Sequence, residues 1–417
     1  MNILLKAATI IDPNSKFDAK TVDILIKDGA IAAIEDNINA SNEVDVISYQ
    51  NLHVSPGWFD SSVSYGEPGF EERETLANGL EVAAKSGFSA IALNPITQPV
   101  IDNSATIRYL HGQAHQNAVT LSPMGTLTLK GEGLELAELY DMKTAGAIAF
   151  SDYQRPIKNP NLLKLALLYA QNFNGLVLSY PQDHQIASHG MVNEGTNSTL
   201  LGLKGIPALA EELQITRDLF ILEYTGGKLH IPTISTAKSV ALIKEAKQKG
   251  LQVSCSVSVH HLSLTDDQLS TFDTNMKVRP PLRTQDDVEA LLTGITDGTI
   301  DMITSDHSPM DIEHKKVEFD NAKYGTIGLE SAFGVINKIL GARETVKMFT
   351  NGRRVFELQS PSIDVGNQAD LTLFNPDKTY TFSNKDIKST SKNSAFMGSE
   401  LKGEVFGIIA NKQKVLQ

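Results

Sequence analysis

Residues 229–259 read LHIPTISTAKSVALIKEAKQKGLQVSCSVSV, and this stretch indicates the fold most directly. Its centre repeats apolar side chains at the spacing of one helix face: Val240, Ile243 and Ala246. The helix predicted there spans residues 235–249, with serine or threonine at its start and glycine after its end. The short apolar segments on either side, 229–234 and 253–259, predict buried strands. The stretch is therefore a strand–helix–strand unit.

Six further apolar segments predict strands, at residues 54–63, 90–95, 119–124, 147–152, 176–180 and 302–306. Helical patterns lie between them. One opens at Pro207 and would place Ala210, Leu213 and Phe220 on a single face. Eight buried parallel strands, each followed by a helix-sized segment, close most economically into an α/β fold of the (β/α)8 TIM-barrel type. A doubly wound open sheet is the alternative.

Both chain ends have a different pattern from the middle. Residues 22–27 and 30–34 flank an Asp-Gly pair, which is typical of a β-hairpin. The last 50 residues again contain short apolar strands. We therefore predict a small β-sandwich domain built from residues 1–54 and 363–417, and a barrel from residues 55–362.

Composition narrows the classes of partner and compartment. The 417 residues carry a net charge of −12, which argues against nucleic acid because phosphate binding needs clustered lysine and arginine. No run of about 18 apolar residues occurs, so no membrane span is predicted. The single cysteine, Cys255, lies in an apolar run and excludes an internal disulfide. A reducing compartment, the cytoplasm, is the expectation.

The chemistry of barrel proteins lies at the carboxyl ends of the strands. In this sequence those ends carry mainly hydroxyl, amide and carboxyl groups: Ser62, Ser64, Asn94 to Thr97, Asp152, Tyr180, Thr233, Ser258, His260 and Asp306.

Several segments resemble the dihydroorotase family, in the same order along the chain. They are SPGWFD at 55–60, GEPGF at 66–70, RPPLR at 279–283, TSDHSP at 304–309 and KNSAF at 392–396. The likeness runs from about residue 50 to the C-terminus and is closest to the type found in multifunctional pyrimidine-pathway complexes. It implies an amidohydrolase barrel that interconverts dihydroorotate and N-carbamoyl-aspartate with one or two zinc ions.

The sequence departs from that family where the metals would bind. The family's four histidine ligands correspond here to Ser62, Ser64, Tyr180 and Thr233. The carboxylates Asp152 and Asp306 remain, but a catalytic zinc normally needs three protein ligands. The arginine that clamps the substrate carboxylate in the family is Gly66 here, and the family's asparagine after strand two is Ile96. The prediction is that no metal cofactor is bound.

The remaining polar residues at the barrel mouth have competing interpretations. Asp306 is either a vestigial general base or a structural carboxylate paired with Arg279. Arg279 replaces a neutral residue of the family; it either fills space or binds a small anion. Arg279 and His260 are the candidates for substrate binding, although His260 and His261 more simply pack and hydrogen-bond. Two loop histidines, His184 and His189, are expected at the surface.

Three functions remain open. The first is a catalytically inactive dihydroorotase homologue that acts as a structural or regulatory subunit, with aspartate carbamoyltransferase as partner by resemblance and with a homo-oligomer expected. The second is an active cyclic amidohydrolase, acting on dihydroorotate or a related ureide with a reduced metal site and Asp306 as base. The third is a small-molecule sensor that uses the vacant barrel mouth.

Overall fold

The computed structural model of the chain describes residues 1–39 and 43–417. Strands from both ends of the chain form one eight-stranded sheet. They are β1 (Asn2–Ile10), β2 (Thr21–Lys27), β3 (Ala30–Glu35), β4 (Asp45–Ile47), β5 (His53–Pro56), β15 (Leu371–Thr381), β16 (Glu400–Ala410) and β17 (Gln413–Leu416). Their order is β17-β16-β15-β5-β1-β2-β3, and β4 pairs with β1. The predicted hairpin is present, because β2 and β3 pair antiparallel around Asp28 and Gly29, both with positive φ.

The sheet has a hydrophobic core of its own that both chain ends supply. Ile3, Leu5 and Ile24 from the N-terminal strands are buried in the same cluster as Leu371 and Ile409 from the C-terminal strands. A β domain built from both termini therefore stands beside the barrel. The residue boundaries predicted for the two domains stay a prediction.

The barrel strands are parallel and fall into two hydrogen-bonded groups. They are β6 (Trp58–Val63), β7 (Phe88–Leu93) and β8 (Thr120–Pro123), then β9 (Leu176–Leu178), β12 (Lys228–Ile231), β13 (Val253–Ser258) and β14 (Met302–Thr304). Phe150 bridges the groups by pairing with Gly125 on one side and Val177 on the other. A bridge between Val63 and His307 closes the ring. A short pair outside the barrel wall comprises β10 (Val192–Asn193) and β11 (Gly205–Ile206).

Two strand predictions need correction. Residues 54–63 are not one strand: Gly57 divides them into β5, in the β domain, and β6, in the barrel. Residues 147–152 form no regular strand and pair only through the bridges of Phe150. The fourth position of the barrel wall is therefore held by a few hydrogen bonds around one residue.

Thirteen α-helical segments occur among the described residues. They are α1 (Leu76–Lys85), α2 (Ser104–Gln113), α3 (Leu139–Thr144), α4 (Pro160–Ala170), α5 (His184–Ala187), α6 (Thr196–Leu201), α7 (Ala208–Thr225), α8 (Ala237–Gln248), α9 (Gln285–Thr296), α10 (Ile312–Lys315), α11 (Leu329–Leu340), α12 (Ala342–Thr350) and α13 (Gly352–Val355). The α8 prediction is confirmed: Thr236 caps it, and Val240, Ile243 and Ala246 are buried.

The apolar residues predicted on one face of α7 are not all buried. Ala210 is buried, but Leu213 and Phe220 are 44% and 68% exposed. The helix instead turns Glu211 and Asp218 inward. Glu211 accepts hydrogen bonds from the backbone N–H groups at the start of α8, so a polar contact decides which face is buried.

Within the described ranges, every helix falls short of the length or the hydrophobicity that a membrane span requires.

Candidate functional site

Three side chains at the ends of β6 and β7 form a hydrogen-bonded set under the barrel mouth. Asn94 donates through Nδ2 to Ser62 Oγ at 3.1 Å and to Ser64 Oγ at 3.0 Å. Ser62 Oγ in turn donates to Asp306 Oδ1 at 2.8 Å. Both serines are buried. The two positions where the family resemblance implies histidine ligands are therefore occupied by hydroxyls that bond to protein groups.

Asp306 follows β14 and is 5% exposed. Its φ of 49° places it in the left-handed region, where a side chain is strained. Ser62 and, at 3.4 Å, the Tyr153 hydroxyl donate to it. Burial, together with the nearby negative charge of Asp60 and against the opposing Ser62 hydrogen bond, raises the pKa of Asp306 to about 7.

The predicted pairing of Asp306 with Arg279 is wrong. No ion pair of Asp306 occurs within residues 1–39 and 43–417, and Asp306 is held by neutral hydroxyl donors. The Arg279 guanidinium instead lies over the ring of Tyr324, 4.1 Å from its centroid. An aromatic face therefore supports this arginine, rather than a carboxylate.

Tyr180 and Thr233 occupy the other two positions of the implied ligand set. Tyr180 is 3% exposed, and its hydroxyl has no hydrogen-bond partner within the described ranges. Burial raises its pKa above the ordinary value, while the positive charge of Arg279 opposes that shift. Thr233 is buried with φ of 49°, and its N–H donates to Ser256 Oγ at 3.2 Å. Neither residue offers a ready anionic ligand.

Asp152 is a structural carboxylate in this geometry. Its Oδ1 accepts from the N–H groups of Leu127 at 2.9 Å and Thr128 at 3.0 Å, and its Oδ2 accepts from Thr128 Oγ1 at 2.6 Å. Burial raises its pKa, and these hydrogen bonds oppose the rise. Asp152 therefore fastens the loop after β8 and does not pair with Asp306.

The two adjacent histidines differ in their environment. His261 Nδ1 hydrogen-bonds with Ser258 Oγ at 2.5 Å, and Nε2 lies 3.1 Å from the carbonyls of Pro280 and Pro281. His260 is buried, and neither of its ring nitrogens has a partner among the residues described, so the hydrogen bonding expected for it is absent there. Burial lowers its pKa well below the ordinary value, so the ring is neutral.

The residues present do not fit the zinc that the resemblance implies for active members. In the described ranges no group of three or more His, Cys, Asp or Glu side chains is placed to hold a metal ion. The carboxylates Asp306 and Asp60 lie beside the replaced ligand positions, and both already accept hydrogen bonds from protein donors. Two carboxylates fall short of the three protein ligands of a catalytic zinc.

A cleft of about 660 Å³ opens at the barrel mouth. Arg279 lines it together with four residues whose part in it the sequence did not reveal: Arg155, Lys158, His184 and His189. The two histidines, predicted simply as surface residues, are exposed but belong to this cleft. Arg155 and Lys158 directly follow the fourth barrel segment. This position in the sequence could have indicated that they line the barrel mouth.

The chain is similar in sequence to known proteins of one family. The family model described as dihydro-orotase-like matches residues 52–239. The dihydroorotase of Pelotomaculum thermopropionicum is 40% identical over 425 residues, covering 100% of this chain and 99% of the relative. The dihydroorotase of a Thermoanaerobacter species is 39% identical and covers 97% and 95%.

Solved structures agree on the fold. The L-hydantoinase of Arthrobacter aurescens has a TM-score of 0.84 at 22% identity, covering 100% of this chain and 97% of its own. A D-hydantoinase from a Thermus species has a TM-score of 0.81 at 19% identity, covering 99% and 94%. The predicted fold class is confirmed: the protein is an amidohydrolase-type barrel with a β domain. At the identity of its full-length relatives, the chain belongs to the dihydroorotase family.

Proposed function

We propose that this chain is a non-catalytic dihydroorotase homologue that serves pyrimidine biosynthesis as a structural or regulatory subunit in the cytoplasm. The observation that carries the proposal is the hydrogen-bonded set of Asn94, Ser62 and Ser64 on Asp306. It bonds the hydroxyls at two of the replaced ligand positions to protein groups, where a hydrolase of this family would present ligands to a metal.

The loop that would carry the substrate clamp supports the same conclusion. A Cβ atom built on Gly66 would lie 1.8 Å from the carbonyl oxygen of Phe70 and 3.1 Å from that of Glu74. No side chain fits there unless the backbone moves. The loop is therefore folded in a way that excludes an arginine at position 66, and a bidentate hold on a substrate carboxylate is missing at this place.

The relatives named dihydroorotase support the alternative function, which is an active cyclic amidohydrolase. An active cyclic amidohydrolase would use Asp306 as general base, and a carboxyl with a pKa of about 7 suits proton transfer near neutral pH. This alternative still needs an electrophile or a metal to polarise the amide.

Metal content and dihydroorotate hydrolysis, measured on one purified sample, separate the two functions. We expect less than about a tenth of a metal ion per chain after zinc loading and dialysis, and no turnover, because too few ligands converge. The Pelotomaculum relative, treated identically, is the positive control. Stoichiometric zinc together with turnover would contradict the proposal and favour the active enzyme.

The expected homo-oligomer is supported by apolar side chains on the outer helices. Phe220 and Tyr224 on α7 are 68% and 81% exposed, and Leu165 and Leu168 on the neighbouring α4 are also exposed. Apolar groups gathered on one surface are typical of association sites. Aspartate carbamoyltransferase is the partner proposed by resemblance, and co-elution of the two purified proteins in gel filtration is the check.

A further inference from the structure

Most of the charged side chains that line the cleft at the barrel mouth are positive, whereas the chain as a whole has a negative net charge. Arg155, Lys158 and Arg279 line the cleft together with two carboxylates, Glu132 and Asp152, while the chain carries a net charge of −12. Asp152 is already occupied by three hydrogen bonds from protein donors. None of the three cations forms an ion pair with any carboxylate of the described ranges. The three cationic side chains therefore outnumber the two carboxylates of the cleft.

Arg279 is held in place by contacts that leave its hydrogen-bonding capacity unused. Its guanidinium lies 4.1 Å from the ring centroid of Tyr324. The Tyr324 hydroxyl is anchored to the Gly190 carbonyl at 3.2 Å, and Gln154 Nε2 donates to the backbone oxygen of Arg279 at 3.0 Å. The Nε atom of Arg279 is buried and has no partner among the described residues. A buried donor without a partner is unfavourable unless a ligand or solvent satisfies it.

Arg155 is positioned in a similar way. Its Nη1 donates to the backbone carbonyls of Lys130 at 3.3 Å and Gly131 at 3.1 Å, which fixes one arm of the guanidinium. Lys158 also lines the cleft, together with the two exposed histidines, His184 and His189. Two arginines, each fixed by contacts to protein groups, are thus presented to one space.

We propose that this cleft binds a small-molecule dianion whose oxyanion groups are held by Arg279 and Arg155. The planar fork of arginine matches carboxylate and phosphate alike, and a cleft of about 660 Å³ has the volume of an ordinary small-ligand site. The inference rests on the proposed function in one respect: the dianion is bound as a ligand and is not converted to a product.

Isothermal titration calorimetry of the full chain at low ionic strength tests the proposal. Succinate represents a dicarboxylate, pyrophosphate a phosphate ligand, and succinamide is the neutral control for succinate. We expect at least one anion to bind and succinamide not to bind. Succinate alone would identify a carboxylate site, and pyrophosphate alone a phosphate site. If neither anion binds, the proposal is overturned.

Two arginine variants give the matched comparison. Arg279→Gln should weaken anion binding about tenfold or more, because a charge-assisted hydrogen bond is lost. Arg108→Gln, on the exposed surface of α2, removes the same charge outside the cleft and should leave affinity unchanged. The anion should also raise the melting temperature of the wild type more than that of Arg279→Gln at the same concentration. Equal affinity in both variants would place the anion elsewhere.

A hydrolysis assay on the calorimetry samples keeps the two proposals apart. Turnover of dihydroorotate would refute the non-catalytic function, while the comparison of Arg279→Gln with Arg108→Gln would still decide whether the cleft binds the dianion. Binding without turnover supports both.

Discussion

Asp306 lies under the barrel mouth with hydroxyl donors around it and no ion-pair partner among the described residues. Its folded-state pKa of about 7 exceeds the ordinary value of about 3.9. The folded chain therefore binds this proton more tightly than the unfolded chain. The resulting stability is fully present below about pH 3.9 and is lost as the pH rises through about 7.

Asp306→Asn should escape this loss, because the amide oxygen still accepts from Ser62 and Tyr153 but the side chain cannot ionise. The quantity to compare is the melting temperature of the variant minus that of wild type. We expect this difference to be larger at pH 8 than at pH 5 by about 2 °C or more. Differential scanning fluorimetry at both pH values measures it.

Asp36→Asn is the matched control, because the Asp36 side chain is exposed and forms no ion pair with the described residues. Its melting temperature relative to wild type should be nearly the same at pH 5 and pH 8. An Asp306→Asn difference that is equally flat would show that the buried carboxyl is not protonated in the folded chain.

The residues at the site could be predicted from the sequence, but the hydrogen-bond partners of their side chains could not. The sequence placed Ser62, Ser64, Tyr180 and Asp306 at strand ends, because strand ends follow from apolar patterns. It did not reveal that Asn94 bridges the two serines, since that depends on the relative register of β6 and β7.

At the scale of elements, Gly57 is the joint between the β domain and the barrel. A Cβ atom there would lie 1.9 Å from Ser89 Oγ and 2.0 Å from Asp370 Oδ1. Arg353 binds both of these side chains and also donates to the Gly57 carbonyl at 3.0 Å. The joint is therefore a buried polar contact with no room for a side chain.

Gly57→Ala should lower stability by about 1–3 kcal/mol, because the methyl group displaces Ser89 and Asp370 from their partners. Gly112→Ala, in helix α2, has no atom within 4 Å of the new Cβ and should raise stability by about 0.5–1 kcal/mol. Urea unfolding midpoints compare the two variants. A Gly57→Ala midpoint at or above that of wild type would show that the joint adapts without cost.

The buried face was predicted well for a helix that packs through apolar side chains. It was not predicted for a helix that packs through buried polar groups. Helix α8 follows its apolar repeat, with Val240 and Ile243 buried. Helix α7 does not, because Glu211 serves backbone donors of α8 and Asp218 accepts from Ser179 Oγ at 2.6 Å, so both face inward. Apolar periodicity alone cannot locate a face that is buried by hydrogen bonds.

At the scale of the whole molecule, that same rotation leaves an apolar stripe on the outside of α7. Leu209, Leu213, Phe220 and Tyr224 are all exposed, at 53%, 44%, 68% and 81%. Their spacing of four, seven and four residues keeps them on one side of an α-helix. Helix α4 packs beside α7 and adds Leu165, Leu168 and Tyr169, also exposed.

A stripe of this kind suits contact with a second copy of the chain, because a two-fold axis across α7 would place the same apolar residues against each other. We therefore expect gel filtration with light scattering to give a dimer for the wild type at micromolar concentration. Phe220→Ser combined with Tyr224→Ser should shift the protein to monomer, since about 150–250 Å² of apolar surface per aromatic side chain leaves the interface. Leu134→Ser, at a position 76% exposed, removes a surface apolar group away from the stripe and should leave the dimer intact. A monomeric wild type would exclude self-association through α7, and a double variant that remains dimeric would place the interface on another face.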